Sequence, residues 1–163
     1  MELLIASGLS GLLLALCMSL ALFTARSIAS VTDSVDLNAR SRLAIDRMGR
    51  KLRQASVVKN YSPTSVSLVY AGRSLTYTYN PNDKTLVEND GGNRTTLLEN
   101  CDTLAFSFYK RNPVSNTFNQ FPVLTATNEA KVVQVNWRCS RNRVGKADGS
   151  AEMVSAKFVI RAK

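Results

Sequence analysis

Glu2 is the first residue whose placement carries chemistry, because it heads an unbroken apolar run, Leu3 to Ala25, that contains no charge and no proline. A carboxylate at a bilayer centre costs about 2.5–3.5 kcal/mol on insertion scales, and the dipole at a helix N-terminus offsets part of that cost. Among packed apolar helices a lone carboxylate seeks a cation, which the N-terminal ammonium of a neighbouring chain would supply. The alternative is an acid resting in the headgroup layer and paired with nothing in particular. Behind Glu2, the small residues Ser7, Gly11, Ala15 and Ser19 recur every four positions. They form a stripe along which a second helix can approach closely. Small residues are common in membrane helices anyway, so the stripe is compatible with bundling without demanding it.

The remaining chemistry is sparse. The chain has no histidine, which removes Ser-His, Cys-His and His-metal sites. It has no P-loop and no paired-cysteine zinc motif. Catalysis is therefore not expected, and neither is a cofactor. The turn Glu88-Asn89-Asp90-Gly91-Gly92-Asn93 is rich in oxygen ligands and would suit calcium. Its spacing misses the EF-hand pattern, and hairpin turns favour the same residues. Three cysteines occur, Cys17, Cys101 and Cys139.

These residues need elements to position them. A helix over Leu3 to Ala25 would be roughly 35 Å long, enough for a hydrocarbon core of about 30 Å. A secretory signal peptide is the competing reading, but it would open on Lys or Arg and use a shorter apolar run. Beyond Arg26 the helical spacing continues without proline to about Ser56, through Ile28, Val31 and Val35 and then Ile45, Met48, Leu52 and Ala55. Asp36 with Arg40, and Asp46 with Arg50, stand four apart with the acid first, the favourable order for helix-surface ion pairs.

After Tyr61-Ser62-Pro63 the period drops to two. Val66, Leu68 and Tyr70 and then Leu75, Tyr77 and Tyr79 predict two antiparallel strands around Ala71-Gly72-Arg73. Asn80 to Asp83 and Asn89 to Asn93 turn the chain into further strands at Thr85 to Val87 and Thr95 to Leu98. Later strands run through Leu104, Phe106 and Phe108, through Val133, Val135 and Trp137, and through Val154 to Ile160. Long polar loops are expected at Arg111 to Ala130 and Ser140 to Ser150. The expected fold is α+β, a long N-terminal helix whose amphipathic half covers one antiparallel sheet. Its parts are residues 1–25, apolar and able to contact lipid from residue 3 on; residues 26–60, amphipathic helix; and residues 61–163, the β-rich domain.

Glu2-Leu3-Leu4-Ile5-Ala6-Ser7 and the apolar run behind it resemble the N-terminus of type IV pilins and type II secretion pseudopilins. With Ala39-Arg40-Ser41-Arg42-Leu43-Ala44-Ile45-Asp46-Arg47-Met48 and the β-meander that follows, the layout is similar to the J-type pseudopilins and W-type minor pilins. The likeness covers the whole chain in layout and is specific over the first 25 or so residues. In that family a membrane peptidase removes a basic leader ending in Gly, and a Glu at the fifth mature position directs assembly. Glu2 matches that Glu by context, which would start the present sequence at the fourth mature position.

The resemblance implies a structural minor subunit, at or near a filament tip, assembling through its helix into a type II secretion pseudopilus or a type IV pilus. Its partners would be other pilin-like subunits and the inner-membrane assembly platform. Its place would be the bacterial inner membrane, single pass, with the C-terminal domain in the periplasm or an extracytoplasmic filament. The net charge of +9, from 21 Lys and Arg against 12 Asp and Glu, raises an alternative, a basic minor pilin that binds DNA during uptake. A solvated charged surface explains the same composition.

A bridge between Cys101 and Cys139, with Cys17 left as a thiol, suits an oxidising compartment. Antiparallel pairing of Leu104 to Tyr109 with Val132 to Trp137 would bring the two cysteines to one end of the ladder. Side-chain parity opposes it unless a bulge or turn intervenes near Asp102.

Overall fold

The computed structural model describes residues 2–110, 112, 114–116, 120–123, 129–141 and 150–160. It contains a helix, α1 (Glu2–Arg53), followed by β1 (Val57–Ser62), β2 (Ser65–Tyr70), β3 (Arg73–Asn80), β4 (Thr85–Asp90), β5 (Asn93–Leu98), β6 (Cys101–Lys110), β7 (Phe121–Pro122), β8 (Ala130–Arg141) and β9 (Ser150–Val159). The fold is α+β with antiparallel sheets throughout. The chain divides into two compact units, Met1–Asp36 and Leu37–Lys163, and α1 contributes to both.

Within the second unit the strands form two sheets where one was expected, ordered β1-β2-β3-β4-β5 and β7-β6-β8-β9. Asn100 adopts a positive φ of 57° between β5 and β6, and there the chain leaves the first sheet to begin the second. Before β7 pairs with it at Tyr109 and Lys110, the edge of β6 meets the turns of the first sheet. The Phe106 N–H donates to the Pro63 carbonyl at 2.8 Å, and the Cys101 N–H to the Lys84 carbonyl at 2.9 Å. The hairpins are tight for a local reason. Gly91 and Gly92, at φ 58° and 102°, supply the two left-handed residues that a two-residue hairpin matched to strand twist requires.

The helix ends at Arg53, short of both Ser56 and residue 60. The N–H groups of Gln54 and Ala55 close the last turn with bonds to the carbonyls of Lys51 and Leu52, and Arg50, Lys51 and Arg53 complement the dipole there. Val57 and Val58 then open β1, a strand lying in a stretch read as helix. Of the two expected polar loops, residues 111, 113, 117–119, 124–128 and 142–149 lie outside the described set, and β7 falls inside the first of them.

One core joins helix and sheets in the second unit. Leu37, Ser41, Ala44, Met48 and Leu52 form the buried stripe of α1, at the three- and four-residue spacing of a single helix face. They belong with Val66, Leu68, Leu75 and Leu86 of the first sheet and Phe106, Val133, Val135 and Phe158 of the second. Ser41 is the polar member, and its hydroxyl accepts the indole N–H of buried Trp137 at 3.3 Å. The expected stripe is thus right for Met48 and Leu52, with Ile45 partly buried against it and Ala55 buried beyond the end of the helix, while Ile28, Val31 and Val35 are each about 60% exposed.

Helix and second sheet meet closely at Gly49. A Cβ built there would stand 2.9 Å from the Phe158 ring, which is buried and has little room to yield. Gly49→Val is expected to destabilise the domain by about 1–3 kcal/mol through overpacking. A urea midpoint equal to that of the unmodified protein would show that the ring gives way freely.

Candidate assembly surface and a buried ion cluster

The unit Met1–Asp36 carries the sequence-predicted assembly residues on one uninterrupted stretch of α1. Every residue from Glu2 to Ile28 is exposed, with Leu3 at 87% and Phe23 at 73%. This helix is long and apolar enough to cross a membrane. Its hydroxyls are satisfied within the helix. Ser7 donates to the Leu4 carbonyl at 3.0 Å, Ser10 to Ala6 at 2.8 Å, Ser19 to Leu16 at 2.8 Å and Thr24 to Leu20 at 2.8 Å. Such back-bonding lets a polar side chain enter a medium without water and leave no bare donor.

Ser7, Gly11, Ala15 and Ser19 follow the four-residue ridge of this helix, and nothing lies within 4 Å of where a Cβ on Gly8 or Gly11 would sit. The ridge is open to a neighbour. Glu2 is exposed in the first turn, where the helix dipole favours its charge. No salt bridge to Glu2 forms among the described residues.

In the second unit the structure assembles a cluster that sequence reasoning missed. The Glu88 carboxylate, 1% exposed, accepts hydrogen bonds from Arg47 Nε at 3.0 Å and Nη2 at 2.7 Å, from Lys51 Nζ at 2.9 Å and from the Tyr77 hydroxyl at 3.1 Å. Lys51 also binds Asp90 at 2.6 Å and lies 5.6 Å from the centre of the Tyr70 ring. Arg47 and Lys51 stand four apart on α1, and Glu88 belongs to β4, so the cluster fastens helix to first sheet. Burial works to lower the Lys51 pKa, but the hydrogen bonds to Asp90 and Glu88 overcome it and hold the ammonium above its ordinary value. Burial, and then the charge of Glu88, push the Tyr77 phenol well above the ordinary range.

The signal for Glu88 was its parity, since it shares the buried face of β4 with Leu86. Its partners are the cations of α1, an arrangement opposed to calcium. Among the described residues no group of three or more metal-ligating acids or cysteines comes together.

Cys101 and Cys139 are bonded as a disulfide, and Cys17 is an exposed thiol. The two stand opposite each other in the β6–β8 ladder, whose register shifts between Cys101 and Thr103. That bulge resolves the parity conflict, because it turns Cys101 to the side that Cys139 shares with Trp137. Asp102, the residue in the bulge, is bonded by Lys84 at 2.8 Å and by the Ser140 hydroxyl. These two hydrogen bonds hold its carboxyl below the usual carboxylate range.

Comparison with protein-family models, with curated proteins and with solved structures returned no match to this chain.

Proposed function

We propose that this chain is a structural pilin-like subunit, a minor component at or near the tip of a type II secretion pseudopilus or a type IV pilus. One observation carries the reading: a continuous helix exposes its whole apolar surface from Leu3 to Phe23, satisfies its own hydroxyls and places a single acid at its head. Such a surface calls for lipid before assembly and for other apolar helices after it. The partners in this reading are other pilin-like subunits and the inner-membrane assembly platform. The disulfide suits a domain held in the periplasm or in an extracytoplasmic filament.

Glu2→Leu tests the assembly role. The variant is expected to keep the thermal unfolding of the β domain and to be incorporated into filaments far less than the unmodified chain, because the helix bundle loses its one anchoring charge. Equal incorporation in a shearing assay would sink this role for Glu2.

A second reading, DNA capture, is favoured by how charge is distributed in the second unit. Glu88, Asp90, Glu99, Asp102 and Glu129 are all held in internal salt bridges. Arg42, Arg50, Arg53, Arg94, Arg138 and Lys157 are exposed and form no salt bridge among the described residues, so Arg50 does not pair with Asp46 as its spacing suggested. They outnumber Asp46, Asp83 and Glu152, the described acids of this unit without one. The excess positive charge is therefore presented to solvent, where phosphates can reach it.

A further inference from the structure

The solvent face of the second sheet has an order that the charge excess alone does not require. Tyr109 of β6 faces Val132 of β8, which faces Val159 of β9, while Pro122 of β7 flanks Tyr109 on the other side. The next row is Ser107, Gln134 and Lys157, followed by Ala105, Asn136 and Ser155, and then Thr103, Arg138 and Met153. Those four rows hold two exposed cations and no acid. Asp102, in the bulge of β6, is bonded by Lys84 and Ser140, and the charge of Arg138 also favours its ionised form. Between the cations, the Gln134 amide nitrogen donates to Asn136 Oδ1 at 3.1 Å and to the Ser155 hydroxyl at 3.2 Å. Lys157 and Arg138 are separated by four residues of β8 register, about 14 Å at the rise of a strand.

We infer that this face is a binding platform for single-stranded nucleic acid, an inference that rests on the DNA-capturing reading and locates it. Lys157 and Arg138 take separate phosphates, the partly exposed Tyr109 ring offers a stacking surface, and the Gln134 and Asn136 amides lie where base edges would pass. Geometry selects the single strand. Three strands spaced about 4.8 Å apart, with their side chains, are wider than the roughly 12 Å major groove, so the face cannot enter a duplex to read it. A second copy of the chain is disfavoured as the occupant, since each copy carries a net charge of +9 and the carboxylate beside Arg138, that of Asp102, is already bonded within its own chain by Lys84 and Ser140.

The test measures a labelled oligothymidylate binding to the full chain in nanodiscs by fluorescence anisotropy across a salt series. Arg138→Glu with Lys157→Glu is expected to weaken binding about tenfold or more and to reduce the slope of log K against log salt by about 1.4, two phosphate contacts on a single strand. Tyr109→Ala is expected to weaken binding with the slope unchanged. Arg42→Glu with Arg50→Glu, on the solvent side of α1, serves as the comparison and should change affinity less than the sheet pair does. Binding that follows the helix pair and ignores the sheet pair, or a duplex bound more tightly than the single strand, overturns this location and leaves DNA capture standing. Absence of any binding at low salt removes both.

Discussion

Arg47→Met combined with Lys51→Met is expected to destabilise the β domain by about 3–5 kcal/mol, since it strands the Glu88 carboxylate in a site where 1% of the residue meets water. On the usual scaling this is a drop in Tm of roughly 10–20 °C. Glu88→Leu alone should cost less. Arg47 keeps 37% of its side chain exposed and can swing its head to solvent, and Lys51 retains Asp90. Adding Glu88→Leu and Tyr77→Phe to the double variant should recover most of its loss, because the buried carboxylate and the hydroxyl that bonds it are then removed together. Chemical denaturation of the three variants checks the order, and three simply additive losses would contradict it. The cluster also sets an alkaline limit. Lys51 and Tyr77 both have folded pKa values above their ordinary 10.5 and 10.0. Between the unfolded and folded values the unfolded chain binds fewer protons, so stability is whole below about pH 10 and falls as pH rises beyond it.

The second large effect belongs to the disulfide. Cys101 and Cys139 are separated by 38 residues, and closing a loop of that size stabilises by about 4 kcal/mol on the chain-entropy estimate. Cys101→Ser, Cys139→Ser and the double variant are each expected to lose a similar amount, because either change removes the same bond. Cys17→Ser should leave the domain's stability unchanged, since Cys17 is an exposed thiol in the first unit. Urea unfolding with and without reductant reads the effect directly; an unchanged midpoint on full reduction would show that the unfolded chain gains nothing from release of the loop.

How much of this was legible in the chain varies with the range of the interaction. The centres of the strands from β2 onward, β7 apart, follow from period-two alternation, because that period is fixed by the pleat and needs no knowledge of partners. β1 escaped because Leu52, Ala55 and Val58 continue a three-residue spacing across the point where the helix stops. Two sheets in place of one reflect pairings between residues far apart in sequence, which no local pattern encodes. Periodicity also found an apolar face at Ile28, Val31 and Val35, which was expected to be covered by the sheet with the rest of the amphipathic half; each is about 60% exposed, because a local period marks an apolar face and does not specify its cover.

The sequence singles out Glu2 because a charge stands out in an apolar run, and the small-residue ridge because it recurs every four residues; both supply residues that the proposed assembly role uses. Glu88 was not legible as a buried acid. The sequence presents it as the first residue of an oxygen-rich turn after a strand ending at Val87, and that obscures its alternation with Leu86, although Arg47 and Lys51 are visible four apart on one helix face.

The bond between Trp137 and Ser41 has an optical consequence. Trp137 is the sole tryptophan of the chain, and its ring lies in the interior with the indole N–H held by a hydroxyl of α1. Its emission wavelength therefore depends on one boundary, the seam where helix meets sheet, without contribution from any second indole. The protein carries an intrinsic reporter of whether α1 is seated, readable in detergent, in a vesicle or in a polymerised state without attaching a dye.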